Sequence, residues 1–521
     1  CSGMSQKMIR IVMLVCTLCL CVCAVSACSG TDTPPQQTMP SGETQGGTET
    51  DEGEPSGDDE RTSLHPQQQD FDNYTYRMVF DGGLSPYYYG PQEEVSGEAL
   101  DVAFYNRNQF IENYFNINIE MSTLSSEYQM AEHLSVASSA GTDFADAFFS
   151  VAGHVMPSAV ANGYALDLTK LDELNLGASY WDQRIQREYS IQGRLFALEG
   201  DFTVWDDLRT HVVLYNGDLY RQFGYTEIYG SPYEMVRAGN WTLDTMLEMF
   251  EGRSDIDNGP LTSTSKWGML SETPFPYIVF LGTGMKTIEV QEDGSLSLLF
   301  ADNTYYDRVY NVFEDILRKV GLNQEVLLAD ASNGVLSGDI WTGVSNMFEA
   351  NLALFRTTTL SAATRLTNME ADFGILPIPK YDQTQETYYS WCTSDAHTPL
   401  MIPATALSHI DTTAAITEAI CYFSKYMDTN VQTVLEAFYE NMAVAKLCRT
   451  GEDYAMLQLI FANKTYDIDG ALGITGIRMK TGSLAGKRDI STLASEFAAI
   501  KDSSLNKLSE LLANMIKNVK N

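Results

Sequence analysis

The stretch GRLFALEGDFTVWDDLRTHVVLYNGDLYRQFG, Gly193 to Gly224, holds a strand and a helix in direct succession. Val212 to Tyr215 is a short uncharged apolar run that suits a buried strand, and Gly217 to Phe223 continues at helical spacing. The same alternation extends towards the N-terminus. TYRMVFD (Thr75–Asp81) reads as a strand ending in a turn at Gly82-Gly83, and Ala103 to Phe115 reads as a helix. NINIEM (Asn116–Met121) alternates as a strand does, Glu127 to Ser139 is helical, and DAFFSV (Asp146–Val151) is an apolar run of buried-strand length. Strands and helices alternating through short connections mark a mostly parallel sheet with covering helices, an α/β fold.

Towards the C-terminus, Thr242 is placed to N-cap a helix that runs through Phe250. Asp307 to Val320 puts Val309, Phe313, Ile316, Leu317 and Val320 on one helical face, with Gly321 as the expected stop. DFGILPIP (Asp372–Pro379) is a strand interrupted by prolines. Thr412–Met427 and Ser503–Val519 are amphipathic helices, the second with an expected buried stripe of Leu505, Leu508, Leu512, Met515, Ile516 and Val519.

Charge narrows the function. The 521 residues carry 33 basic and 69 acidic side chains, a formal net charge of −36. A nucleic-acid binder needs a basic footprint, so nucleic acid is excluded as a partner. Adhesion to anionic lipid through a polybasic patch is excluded for the same reason. Six of the nine cysteines fall within the first 28 residues. The other three, Cys392, Cys421 and Cys448, are far apart and form no CxxC pair, which argues against zinc. One disulfide with a free thiol and three reduced cysteines both stay open. The body from Phe71 onward, about 450 residues, exceeds one typical core and calls for two lobes.

Lys7 and Arg10 precede an uncharged apolar run, Ile11 to Val25, of signal-peptide rather than membrane-span length. Val25-Ser26-Ala27-Cys28 resembles a bacterial lipobox. That resemblance implies a lipoprotein signal peptide over residues 1–27 and a diacylglycerol on the Cys28 sulfur. The protein is then anchored to the outer face of the cell membrane, by acyl burial at about 0.8 kcal/mol per CH₂. Residues 28–70 are rich in Gly, Ser, Thr, Pro, Gln and acid, and read as a disordered acidic tether that cannot offset its chain entropy by apolar burial.

Four blocks carry a wider resemblance through their order and spacing. They are Thr142–Leu171, Gly193–Gly224, NWTLDTMLEMF (Asn240–Phe250), and MFEANLALFRTTTL followed by ADFGILPIPK (Met347–Lys380). Together they resemble the extracellular solute-binding proteins of family 1, the sugar receptors of ABC importers. Asn351 stands where that pattern has Gly, Leu354 stands where it has Met, and the aromatic patch YYSW (Tyr388–Trp391) is an addition. The resemblance implies a two-lobed periplasmic-binding-protein type II fold with a ligand cleft between the lobes. Crossings are expected near Leu208–His211, Leu352–Arg356 and Thr398–Pro403. Lobe one is then 71–208 with 353–398, and lobe two is 209–352 with 399–521. The implied function is capture of a carbohydrate by hinge closure and its delivery to ABC permease subunits, by a monomer without cofactor or metal.

Sugar recognition needs carboxylates, amides or arginines for hydroxyl pairs, and aromatic faces for the apolar side of the ring. Trp205 and Asp206, just before the first crossing, offer both. Asp81 ends the first strand, where the cleft is expected. Ser150 opens a turn whose backbone N–H groups, through Gly153, are expected to face ligand. Arg356 at the second crossing is either a ligand clamp or an inter-lobe salt bridge. Trp391 is a stacking platform, and Tyr277 falls where the family often places an aromatic contact. Trp181 and Trp241 read as core. No HExxH or GxSxG occurs, so an enzyme is not expected. Asp206 and Asp207 are adjacent, whereas a glycosidase needs carboxyls facing across the bond at about 5–10 Å. Asp467-x-Asp469-Gly470 lacks the twelfth-position Glu of a calcium loop and reads as a turn. A peptide or polyamine receptor and a cell-surface glycosidase are the alternatives.

Overall fold

The computed structural model describes residues 57–82, 89, 97–126, 128–332, 334–366, 369–428 and 430–519. The leader, Cys28 and the tether as far as residue 56 lie outside the described residues. In chain order the elements used below are α1 (Gly57–Ser63), β1 (Tyr74–Phe80), α2 (Ala99–Phe115), β2 (Ile117–Thr123), α3 (Met130–Ala140), β3 (Ala147–Phe149) and α4 (Ala152–Ala161). There follow α5 (Trp205–Leu208), β4 (His211–Asn216), α6 (Gly217–Gln222), α7 (Leu243–Phe250), β5 (Trp267–Ser271), α8 (Phe275–Gly282), α9 (Asn303–Ile316), β6 (Val326–Leu328), α10 (Ile340–Glu349) and β7 (Ala353–Thr359). The last are β8 (Phe373–Leu376), β9 (Ser390–Trp391), β10 (Leu400–Met401), α11 (Ile410–Lys425), α12 (Gly451–Ala462), β11 (Lys464–Thr465), α13 (Ile468–Leu472), α14 (Ile477–Lys487) and α15 (Leu493–Asn518).

Two sheets define two lobes. The first has the order β10-β3-β1-β2, with β1 parallel to β2 and β3 and β10 antiparallel at the edge. The second has the order β8-β4-β7-β5-β6. Here β4 runs antiparallel to β8 and β7, and β5 runs parallel to β7 and β6. Local sequence explains these elements. All six positions of β4 are buried, as its unbroken apolar run requires. Thr242 caps α7 by accepting from the Thr245 N–H. Asn116 ends α2 in the left-handed conformation at φ 51°.

The lobe assignment needs correction. Residues 353–398, expected in lobe one, contribute β7 and β8 to the second sheet. Arg356 in β7 is in register with Leu214 of β4 on one side and Leu270 of β5 on the other. No crossing therefore occurs at Leu352–Arg356. Residues just past 399, expected in lobe two, return to lobe one: Leu400 pairs with Phe149 of β3, and α11 packs on α2. The chain enters the second lobe between α5 and β4 and leaves it between β9 and β10.

The tether is also shorter than expected at its C-terminal end. Residues 60–66 contact the body. The Glu60 carboxylate accepts from the backbone N and the hydroxyl of Ser179, both at 2.6 Å, and Arg61 donates to the Met427 carbonyl at 2.7 Å. Leu64 and Phe71 pack against the core. Gly321 is no left-handed stop. It closes a π-helical turn, Leu317–Gly321, where an added Cβ would approach Leu317 Cδ2 to 3.1 Å and Ala485 Cβ to 3.4 Å. The stripe of α15 is rotated from the expected one. Leu493, Phe497, Ile500, Ser504, Leu508, Leu511 and Met515 are buried, while Leu505 and Ile516 are exposed. The helix starts ten residues earlier than its most apolar stretch suggests, and that earlier turn sets which face meets the core. The helix packs against α4 of lobe one and α9 of lobe two. The three body cysteines are free thiols.

A short pairing of β9 with β11 ties the C-terminal region to the crossing strands, Trp391 opposite Thr465. Lys464 in β11 is buried, and its ammonium bonds the Asp206 carboxylate, Asp207 at 3.0 Å and Asp182 at 3.4 Å. Removing one member of such a buried cluster strands the others. Lys464→Met should therefore destabilise the protein by about 3–5 kcal/mol, read as a fall in urea midpoint. The double variant with Asp206→Asn should recover part of the loss; no recovery would place the effect in packing instead of charge. Gly163 sits at φ +66°, and a Cβ there would meet the Asn518 carbonyl at 2.2 Å. Gly163→Ala should lower stability by about 1–3 kcal/mol, and hydrogen exchange should show the loss concentrated in the last turns of α15.

Candidate functional site

A cavity of about 480 Å³ opens between the two sheets, within the usual size range of ligand sites. Lobe one supplies Asp81, Gly82, Tyr128 and Val151 to its lining. Lobe two supplies His211, Glu272, Trp341, Arg356, Thr358 and Arg365 among others, and the crossing segments supply Arg209, Trp391, Thr393 and Asp395. The site lies beyond the carboxyl ends of parallel strands: Asp81 follows β1, Glu272 follows β5, and Thr358 and Thr359 end β7.

Asp81 is buried, and its carboxylate accepts from the Ser150 hydroxyl at 2.6 Å and from the N–H groups of Gly82 at 3.2 Å and Gln129 at 3.1 Å. Ser150 thus acts through its hydroxyl on Asp81. The N–H groups of Ala152 and Gly153, expected to face ligand, donate instead to the carbonyls of His397 and Ser394. A loop of the crossing segment has filled the start of α4.

Trp205 does not present a free face. The Arg209 guanidinium lies 3.9 Å above its ring, and its indole N–H donates to the Ala396 carbonyl at 3.2 Å. It is Arg209, held there and bonded to the Ser361 hydroxyl at 3.3 Å, that reaches the cavity lining. Asp206 turns away to Lys464 and lines a second hollow with Asp182, Asp207 and Tyr439. Its backbone carbonyl accepts from Thr210 Oγ1 at 3.0 Å and Cys392 Sγ at 3.3 Å, so it shapes the crossing.

Trp391 lines the cavity and stacks on His211, with ring centroids 5.4 Å apart and planes 15° apart. Tyr277 is buried behind it, edge-on at 5.6 Å, and donates to Asp467 at 2.5 Å. Arg356 lines the cavity at 3% exposure and donates to the Ser345 hydroxyl at 3.0 Å, so it makes no inter-lobe salt bridge among the described residues. Of the seven expected ligand residues, Asp81, Arg356 and Trp391 meet at the cavity. Ser150, Trp205 and Tyr277 stand directly behind lining residues, and Asp206 is elsewhere.

The residues missed are as telling. Tyr128 and Trp341 are large aromatics left 60% and 41% exposed, one on each lobe. Tyr128 holds φ at +64°, a conformation unfavourable for a bulky residue and concentrated at functional sites. Its ring meets His154 edge-on at 4.1 Å. Trp341 is the second residue of α10, whose Asp339 cap accepts from the Trp341 N–H at 3.2 Å. Neither stands out in sequence: Tyr128 falls in the stretch read as helical from Glu127, although the helix starts only at Met130, and Trp341 belongs to no motif.

Electrostatics within the cavity are uneven. Burial pushes the His211 imidazole down to about 3, so it is neutral. Burial lowers Arg356 to about 10, opposed by Glu272, and it stays charged. Burial, with Asp330 and Asp395 nearby, pushes the Glu272 carboxyl up to about 7, against the opposing pull of Arg356 and Arg209. An acid raised in this way makes the native state hold a proton that the unfolded chain has released. Its contribution to stability is full below the ordinary 4.5 and is lost as pH rises through about 7. The melting-temperature advantage of Glu272→Gln over the parent should therefore grow from pH 5 to pH 8. A difference that stays constant across that window would contradict the raised carboxyl.

No protein-family profile matches the sequence, and no curated protein matches it. Solved structures do. An ABC substrate-binding protein from Listeria monocytogenes, in complex with cycloalternan, aligns at 12% identity over 84% of this chain and 100% of its own, with a TM-score of 0.52. A family 1 extracellular solute-binding protein from Bifidobacterium longum subsp. infantis aligns at 15% identity over 85% of this chain and 99% of its own, with a TM-score of 0.48. A solute-binding protein from Thermotoga lettingae bound with α-D-tagatose aligns at 14% identity over 84% and 100%, with a TM-score of 0.47. The match to the Listeria protein, spanning both lobes, shows that this chain has the two-lobed α/β fold of the ABC substrate-binding proteins.

Proposed function

We propose that this protein is an extracellular receptor that captures a carbohydrate between its lobes and delivers it to an ABC permease, held at the membrane by a lipid on Cys28. One observation carries the reading: Tyr128 and Trp341, exposed aromatics contributed by opposite lobes, line the same polar cavity. Aromatic faces cover the C–H side of a sugar ring, while the carboxylate and guanidinium groups around them pair with its hydroxyls. Lobe closure brings both aromatic residues onto one ligand. The likeness in fold to a cycloalternan-bound receptor supports the same class of ligand.

Calorimetric titration with mono- and oligosaccharides tests this directly. A saccharide should bind and be recovered intact. A cleaved saccharide would establish a glycosidase, and binding of peptides or polyamines alone would keep the fold and overturn the ligand class. Trp341→Ala should weaken the bound saccharide by about 2- to 10-fold, the size of one lost aromatic contact of about 0.5–1.5 kcal/mol. Its melting temperature should change little, because the side chain is already exposed.

A further inference from the structure

Resting on the reading of the cleft as a saccharide site, we infer that the saccharide carries an oxyanion substituent, a carboxylate, sulfate ester or phosphate ester, held by Arg209, Arg356 and Arg365. Three guanidinium groups on one cavity are conspicuous in a chain of net charge −36. All three come from the second lobe or from the crossing that leads into it.

Arg356 points furthest. It is almost fully buried, one of its nitrogens bonds the Ser345 hydroxyl, and its Nε has no hydrogen-bond partner among the described residues. No carboxylate there lies within ion-pairing distance of Arg356 or of Arg365. A buried cation on which carboxylates, here Glu272 and Glu349, act only without an ion pair is unfavourable, and an anion entering the cavity relieves it. The planar fork of an arginine matches the oxygens of a carboxylate, sulfate or phosphate in bidentate fashion, where a neutral hydroxyl offers one acceptor.

None of the acids on the same lining forms an ion pair with Arg356 or Arg365 among the described residues. Asp81 is occupied by Ser150, Gly82 and Gln129. Asp395 is paired with Arg478 at 2.5 Å. Glu272 attracts Arg356 and Arg209, but burial, with Asp330 and Asp395 nearby, pushes its carboxyl up to about 7 and weakens that attraction. Thr358, Thr359 and Ser361 add hydroxyl donors beside the arginines.

The test is calorimetry on the full chain with matched probes. Oligogalacturonate is set against its methyl ester, a sulfated disaccharide against its unsulfated form, and a sugar phosphate against the free sugar, with inorganic phosphate and sulfate as separate arms. At least one charged saccharide should bind about 10- to 100-fold more tightly than its neutral counterpart. Arg356→Gln, and independently the exposed Arg365→Gln, should reduce that affinity more than the affinity for the neutral partner. Neutral saccharides binding as tightly as charged ones, or a preference that survives both substitutions, would overturn the inference and leave the carbohydrate reading standing. Inorganic anions binding as tightly as the charged saccharides would overturn the assignment of the anion to a sugar. Binding of no saccharide, charged or neutral, would overturn both readings.

Discussion

The ammonium of Lys464 among three aspartates is the constraint on which the cleft depends. It reaches from β11, late in the chain, to Asp182 and to the two carboxylates within α5, where the chain first leaves lobe one. Asp206, held by that lysine, offers its carbonyl to Thr210 and Cys392 and so fixes the two crossing segments against each other. Arg209 follows immediately and is laid on Trp205, and Trp391 sits beside Cys392. The geometry of two cavity residues is therefore set by a charge cluster that no ligand touches. A cluster of this kind adds little net stability over an apolar equivalent, but it permits one arrangement of the charges and penalises the others.

The cleft and the outer surface obey different electrostatics. Outside, an excess of acids keeps the molecule strongly negative. Inside, burial has neutralised His211, raised Glu272 and left Arg356 charged. Desolvation acts in opposite directions on acids and bases, yet only the arginines start far enough from neutrality to survive it. The interior of the cleft can consequently carry a sign opposite to that of the whole chain.

Local patterns were readable in the sequence, and non-local pairings were not. The apolar run of β4 and the Thr242 cap depend on neighbours within a few residues, and both stand as expected. Which sheet receives β7 depends on pairing with residues about 140 positions earlier and 85 positions earlier, and periodicity is silent on that. The same division runs through the site. Asp81 could be placed because a strand end points to a cleft in this class of fold. Trp205 could not be placed, because nothing local says that Arg209 will occupy its face. Tyr128 was hidden because its exposure and its strained backbone are properties of the folded state. Arg356 was found through its strand, although its role as an inter-lobe bridge gave way to a hydroxyl contact with α10.

The C-terminal helix α15 has a mechanical consequence. Its 26 residues span about 39 Å, and it is gripped at different points by α4 of lobe one and α9 of lobe two. Two bodies joined by such a rod cannot swing apart like a book on its spine without prising it from one of them. The motion that leaves both grips intact is a roll of one lobe along the rod. Any change in the angle between the lobes has to be accommodated at the surface of this helix.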